Sequence, residues 1–295
     1  MSHQFVKNKL HGYWEVEPKP SVEELRQYYE DKYYQNESAS YSHSYSEEEI
    51  EYFNTKIGQK DFTLSHILNS TQNQSLLDIG CGEGFTLEYF FKKGWNVQGI
   101  DYSDFGIKNI HPHLTNFFIK GNIWETIEKL LKGNKKYDVV WLDNVLEHVV
   151  DPAILLKKAA ELTYEGGILI IEVPNDYSAF QQALFDSKKI NKKFWEAYPD
   201  HLAYFSRESL ISLCENNNWK IEKVIGDFPI EWFLMNNHSN YCNDKSLGKQ
   251  AHVSRIFLEN FLGETTTNRS DLISFYESLS KINQGRQIIG FFKKQ

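Results

Sequence analysis

The spacing of apolar and polar residues divides this chain into a strand–helix repeat with additions at the front and near the end. Leu76–Ile79, Trp95–Asp101, Asn116–Ile123 with its exit, Tyr137–Asp143, the run from Gly166 to Pro174 and Trp219–Gly226 are short, mostly apolar segments. Each closes near a glycine, an acid or a proline, and residues with helical spacing separate them. Strands apolar on both faces belong to a parallel sheet covered by helices on both sides. Arg286–Phe292 supplies a seventh strand.

Residues 1–72 predict an N-terminal helical cap with no strand of its own. Capping boxes at Ser21–Glu24, after Pro20, and at Ser46–Glu49 open two helices. The second reaches about Leu68, with Ile50, Phe53, Ile57, Leu64, Ile67 and Leu68 forming part of a buried stripe. Tyr28, Tyr29, Tyr33, Tyr34, Tyr41 and Tyr45 crowd this region. They are either packing at the core edge or a lid over a ligand mouth. The core spans 73–226 and 285–295. Between its last two strands, 227–284 holds helices at about Lys245–Leu262 and Asp271–Lys281. A hairpin or short crossover would suffice there, so this insertion is an acceptor lid or a dimer contact, the lid being preferred.

Leu77-Asp78-Ile79-Gly80-Cys81-Gly82-Glu83-Gly84 joins the first strand to its helix. Gly80 permits a sharp turn, Gly82 lets a ligand approach backbone, and Gly84 allows the helix to pack close. Asp78 and Glu83 would repel a pyrophosphate at this helix N-terminus, whereas a ligand bearing ammonium and sulfonium centres would be attracted. The segment resembles the first motif of class I S-adenosylmethionine-dependent methyltransferases. The resemblance implies a Rossmann-like seven-stranded, mostly parallel α/β sheet with the last strand antiparallel, and S-adenosyl-L-methionine as cofactor. It implies cofactor contacts from Asp78, Gly80, Cys81, Gly82 and Gly84. Asp101 would hold the ribose, Tyr102 would lie along the adenine, and Asn122 with Ile123 would sit near its amino group. Backbone at Leu142 and Asp143 would meet the methionine ammonium. Asp101 as a local cap and Asn122 as an ordinary turn residue are the plainer alternatives.

Asp143-Asn144-Val145-Leu146-Glu147-His148 is similar to the fourth-strand motif of ubiquinone-type and sugar-type methyltransferases. His148 is either a base or a hydrogen-bonded support, and Glu147 reads as buried scaffolding. Asp200-His201-Leu202-Ala203-Tyr204-Phe205-Ser206 resembles a segment that closes over the active site in such enzymes. His201 is preferred as acid or base, with Tyr204 its neighbour. The front end from Gly12-Tyr13-Trp14 to the tyrosines resembles that of bacterial surface-glycan methyltransferases.

Net charge of −8 argues against nucleic acid. Mean hydropathy of −0.53, with no long apolar run, predicts no membrane span. Met1-Ser2-His3-Gln4 has no basic-then-apolar leader, and the odd, scattered Cys81, Cys214 and Cys242 suit a reducing cytoplasm. Lys188–Lys193 is a basic loop, solvated or facing an anionic acceptor. The expectation is a monomeric or homodimeric methyltransferase acting on a hydroxyl of a sugar, nucleotide-sugar or surface-glycan precursor, without metal. Alternatives are a quinone- or phenol-type O-methyltransferase, or a metal-dependent one using Asp143, Asn175 and Asp176. Remoter are a nicotinamide-dependent oxidoreductase and a non-catalytic cofactor-binding protein.

Overall fold

The computed structural model describes residues 3–21, 23–25, 27–28, 44–68 and 74–295. Tyr29, Tyr33, Tyr34 and Tyr41, and the expected boundary at residue 73, lie outside the described residues. The strands are β3 (Ser75–Ile79), β4 (Asn96–Asp101), β5 (Phe118–Lys120), β6 (Tyr137–Asp143), β7 (Thr163–Pro174), β9 (Trp219–Gly226) and β10 (Gln287–Lys294). They form one sheet in the order β5-β4-β3-β6-β7-β10-β9. Only β10 runs against the others, antiparallel to both β7 and β9. The central register pairs Leu76 with Val139, Leu77 with Val140 and Ile79 with Leu142. Alternate side chains therefore enter opposite cores.

Helices α4 (Ile123–Lys132), α5 (Pro152–Leu162) and α7 (Arg207–Glu215) cover one face, burying Leu77, Ile79, Val140 and Leu169. Asp151 caps α5, and Pro152 sits in its first turn, where a missing N–H costs nothing. Helices α1 (Glu47–Ser65) and α2 (Phe85–Lys92) cover the other face with α9 (Arg269–Lys281), over Leu76, Val139, Trp141 and Ile170. Each large apolar side chain buried this way contributes about 1.5–3 kcal/mol. The expected box at Ser46 and Glu49 caps α1. A short helix α3 (Phe105–Ile110) follows β4, and α6 (Ala179–Asp186) follows β7.

The front end departs from expectation. β1 (Gln4–Lys7) and β2 (Trp14–Glu17) form an antiparallel hairpin, and β8 (Ala203–Tyr204) adds to it as a third strand. Four-residue strands are too short for their alternation to stand out. Their third partner lies almost two hundred positions away, so no local pattern announces them.

The insertion divides in two. Helix α8 (Gly248–Thr265) lies along α1, where Glu259 takes Lys56 at 3.1 Å, and α9 packs on β9. The 3-10 turn Ile230–Met235 instead reaches α6. There Leu184, Ile190, Trp195 and Leu234 make a small separate core. Arg286 ties this region to the end of β7, 2.8 Å from Asp176 and 3.5 Å from Glu231.

Candidate functional site

The C-terminal ends of β3, β4, β6 and β7 lie side by side, at the position where open α/β sheets bind ligands. Gly80, Gly82 and Gly84 all take positive φ, at 79°, 52° and 81°. A Cβ on Gly80 would fall 2.5 Å from Val145 Cγ2, so glycine is required there on two counts. The amides of Gly80 and Cys81 both donate to Ile100 O, folding the turn onto β4. Asp101 fastens it further: its carboxylate accepts from Gly82 N at 2.9 Å and from Ser103 N at 3.0 Å. Asp101 thus bridges two loops rather than capping one helix, since α3 begins two residues beyond Ser103.

Asn122 accepts from Trp124 N and Glu125 N and caps α4, with Ile123 as its first residue. Tyr102 is half-buried beside Asp101. The Leu142 side chain is fully buried in the sheet core, leaving its backbone toward the strand end. Cys81 is buried, and burial raises its thiol well above the ordinary value. Asp78 is 2 % exposed. Burial, and then the nearby Asp143 and Asp101 carboxylates, push it well above the usual range, and its Oδ1 has no hydrogen-bond partner among the described residues.

One buried cation answers these acids, and no sequence motif had marked it. Lys60 of α1 lies 2.7 Å from Asp143, contacts Glu172 as well, and sits 5.2 Å from the Trp141 ring centre. Burial opposes its charge, but the two carboxylates outweigh that and hold its pKa above the ordinary value. The available signal was a polar residue on the buried face of a helix: Lys56, Ile57, Lys60 and Leu64 all turn inward. Among the described residues, Asp101, Asp143 and Glu172, with the buried Asp78 pushed toward its neutral form, surround Lys60 in acid-rich surroundings that disfavour a diphosphate. Two front-end tyrosines reach the crevice. Tyr45 donates to Glu83 at 2.6 Å over the glycine turn, and Tyr28 donates to Asp200 at 3.4 Å.

The second half of the site follows β6. Asn144 turns the chain at φ 53°, and a 3-10 turn over Leu146–His148 presents Glu147 and His148. Leu202 N donates to Glu147 O at 2.8 Å, and Asp176 N donates to Phe205 O at 2.9 Å. These bonds bring the 200–205 loop against the strand ends. His148 Nδ1 lies 2.7 Å from the Asp200 carbonyl oxygen. A carbonyl only accepts, so Nδ1 is the donor and Nε2 is the acceptor nitrogen of the neutral ring. His201 meets His148 edge to face, ring centres 4.9 Å apart.

Glu147 is 1 % exposed, and neither carboxylate oxygen has a hydrogen-bond partner among the described residues. Burial raises its pKa well above the ordinary carboxylate value. Ligating atoms of Glu147, His148 and His201 lie within 4.8 Å of one another, close enough to share a divalent cation. Of the oxygen set Asp143, Asn175 and Asp176, Asp143 pairs with Lys60 and Asp176 Oδ1 with Arg286, while Asp176 Oδ2 and Asn175 Oδ1 have no hydrogen-bond partner among the described residues. The Tyr204 hydroxyl donates to His201 O at 2.9 Å, bracing the loop. In the basic loop, Lys193 is drawn toward Glu196 at 3.4 Å while Lys188 and Lys192 are exposed.

A family model described as "Methyltransferase domain" matches residues 23–224. Among curated proteins, a ubiquinone biosynthesis O-methyltransferase of Pelagibacter ubique is 27% identical over 206 residues, 70% of this chain and 84% of its own length. The Caulobacter vibrioides protein of that description is 38% identical over 103 residues, 34% and 41% of the respective lengths. Among solved structures, a SAM-dependent methyltransferase from Archaeoglobus fulgidus superposes with a TM-score of 0.50 at 18% identity, covering 92% of this chain and 99% of that one.

Proposed function

The chain belongs to the methyltransferase-domain family and is an S-adenosylmethionine-dependent methyltransferase, and from that premise we propose that it methylates a phenolic hydroxyl of a small quinone-type acceptor. The observation carrying this reading is His148, its tautomer set by the Asp200 carbonyl, beside Glu147 and His201 at the strand ends. The curated relatives, named ubiquinone biosynthesis O-methyltransferases, favour a phenolic acceptor over the sugar expected from the front end.

S-adenosylmethionine supplies a sulfonium methyl, so the acceptor oxygen forms the new C–O bond as the S–C bond breaks. The residues present fit it: Asp78 has an unsatisfied buried oxygen, and the surrounding acids outnumber their lysine. Asp101 would hold the ribose, with Tyr102, Asn122 and Ile123 along the adenine. Lys60 would meet the methionine carboxylate, and backbone at Leu142 and Gly80 would meet the ammonium. His148 Nε2 takes the acceptor proton, and the Asp200 carbonyl steadies the resulting imidazolium through Nδ1. A hydroxyl gains from such a base by about 10²–10⁴-fold, and alignment contributes about 7–11 kcal/mol. His201 shapes the pocket beside it, and Tyr204 positions His201 rather than moving a proton itself.

A second reading rests on Glu147. Its oxygens, which make no hydrogen bond among the described residues, suit with His148 and His201 a divalent cation that would acidify the acceptor hydroxyl. Turnover that survives exhaustive chelation removes it. The test of the main reading is methyl transfer from labelled cofactor to catechol, phenol and methyl glucoside. Labelled phenolic ether is expected; transfer to the glucoside alone overturns the phenolic reading in favour of a sugar acceptor.

A further inference from the structure

Helix α1 has two polar faces, and the strand-end site uses only one of them. Lys56 and Lys60 turn inward with Ile57 and Leu64. On the other side Glu47, Glu51, Asn54, Thr55 and Gly58 recur three or four positions apart. They border a cavity of about 780 Å³ that α1 shares with α2, α8 and α9, large enough for a small organic molecule. None of the residues placed in the strand-end site lines it.

The helices that wall this cavity are pinned at close range. A Cβ on Gly263 of α8 would fall 2.8 Å from Thr55 Cγ2, so glycine is what lets the two helices touch. Asn260 Nδ2 donates to Glu48 O at 3.0 Å, and Lys56 pairs with Glu259 at 3.1 Å. This packing sets Glu264, the residue after Gly263, against Glu51 of α1. The Glu264 side chain is in hydrogen-bonding contact with Glu51 and raises its carboxyl above the ordinary value. Glu47 stands one turn before Glu51 on the same face. Three exposed carboxyls from two helices thus gather at one end of the cavity. Like charges repel, so it is the helix packing and not the acids that keeps them together.

The opposing charge lies elsewhere. Arg269 is the one basic residue lining the cavity, and it makes no ion pair among the described residues. Burial, and then Asp61, push the Tyr89 hydroxyl up to about 12, with the Arg269 charge opposing them from nearby. Tyr89 belongs to the Gly58 end, its hydroxyl 3.6 Å from where a Cβ on Gly58 would stand. Gly58 is two turns along α1 from Glu51, about 10 Å. Phe62, Leu272 and Ile273 supply apolar lining. Gln59 lines the cavity too; it is 7% exposed, and its Nε2 makes no hydrogen bond among the described residues. A buried amide left without a protein partner is a group that a bound molecule completes.

We propose that this cavity is a second ligand site, distinct from the reaction centre, for a small amphipathic organic cation. Its ammonium sits between Glu51 and Glu264, and its apolar body lies on Phe62, Leu272 and Ile273. The proposal does not depend on which acceptor is methylated.

The experiment is calorimetry at pH 7 on the full chain saturated with S-adenosylhomocysteine, titrated with 4-phenylbutylamine. 4-Phenylbutanol and 4-phenylbutyrate carry the same body with no charge and with a negative one. The amine is expected to bind about five-fold tighter than the alcohol and at least ten-fold tighter than the acid. In the double variant Glu51→Gln, Glu264→Gln its affinity should fall about five- to ten-fold, with S-adenosylhomocysteine affinity unchanged and Tm at or above that of wild type. Four results overturn the proposal. They are no binding of the amine, the acid binding as tightly as the amine (which would make Arg269 the anchor), amine binding untouched by the double substitution (which would seat it at the strand ends), and a lowered Tm in the double variant, which would make the carboxyl pair a structural contact.

Discussion

The two halves of the crevice are built on different plans. On the cofactor side, one strand, one turn and one helix follow each other within Ser75–Lys92, and Asp101 closes the arrangement from the adjacent strand. On the side proposed for the acceptor, Glu147, His148, His201 and Tyr204 come from two segments far apart in the chain, joined by single backbone bonds such as those of Leu202. The first half is a local motif whose shape is nearly implicit in its glycines. The second exists only once the whole chain has folded, and that leaves it freer to change acceptor without disturbing the cofactor.

The sharpest way to break this contrast is a crossed pair of substitutions. His148→Ala should lower kcat by about 10²–10⁴-fold while S-adenosylhomocysteine affinity stays constant. Asp101→Asn should do the reverse in calorimetry. It weakens two charge-assisted bonds to Gly82 and Ser103 and costs about ten- to a hundred-fold in S-adenosylhomocysteine affinity. If either variant damages both functions equally, the halves are not separable.

Lys60→Met comes next. It strands Asp143 and Glu172 beside Asp78 without their cation, and urea unfolding should report a loss of about 3–5 kcal/mol. Stability equal to wild type would mean that the acids shed their charge by taking up protons, and that Lys60 is there for the ligand alone.

The mildest effect is that of Glu147→Gln. Folded Glu147 keeps its proton at pH values where the unfolded side chain, with its ordinary pKa of 4.5, has lost it. The folded state then binds more protons, so wild-type stability falls as pH rises above that value, and glutamine removes the loss. The difference in Tm between variant and wild type should be near zero in acid and grow toward neutrality. A constant difference would mean that Glu147 ionises in the fold as it does in the unfolded chain, with His148 Nε2, 3.8 Å away, as its charge partner.

The order of the strands, the glycine turn and the acids at the strand ends could be read from the chain because each depends on neighbours in sequence. A buried parallel strand must be apolar throughout, and a turn at positive φ requires glycine at Gly80. The helices of the insertion were visible for the same reason, but their placement was not, since α8 is held against α1 by Lys56 and Glu259 from opposite ends of the chain. Lys60 was hidden because a lysine inside an amphipathic stripe looks like an interruption until Asp143 and Glu172 are beside it.

By itself, then, the sequence determined the strands, the glycine turn and the acids at the strand ends, all consequences of short-range geometry and composition. Tertiary structure alone decided which histidine faces a carbonyl, that the front-end hairpin pairs with β8 and which cation meets the acids. Each of those depends on contacts across long stretches of chain, whose closure no local pattern encodes.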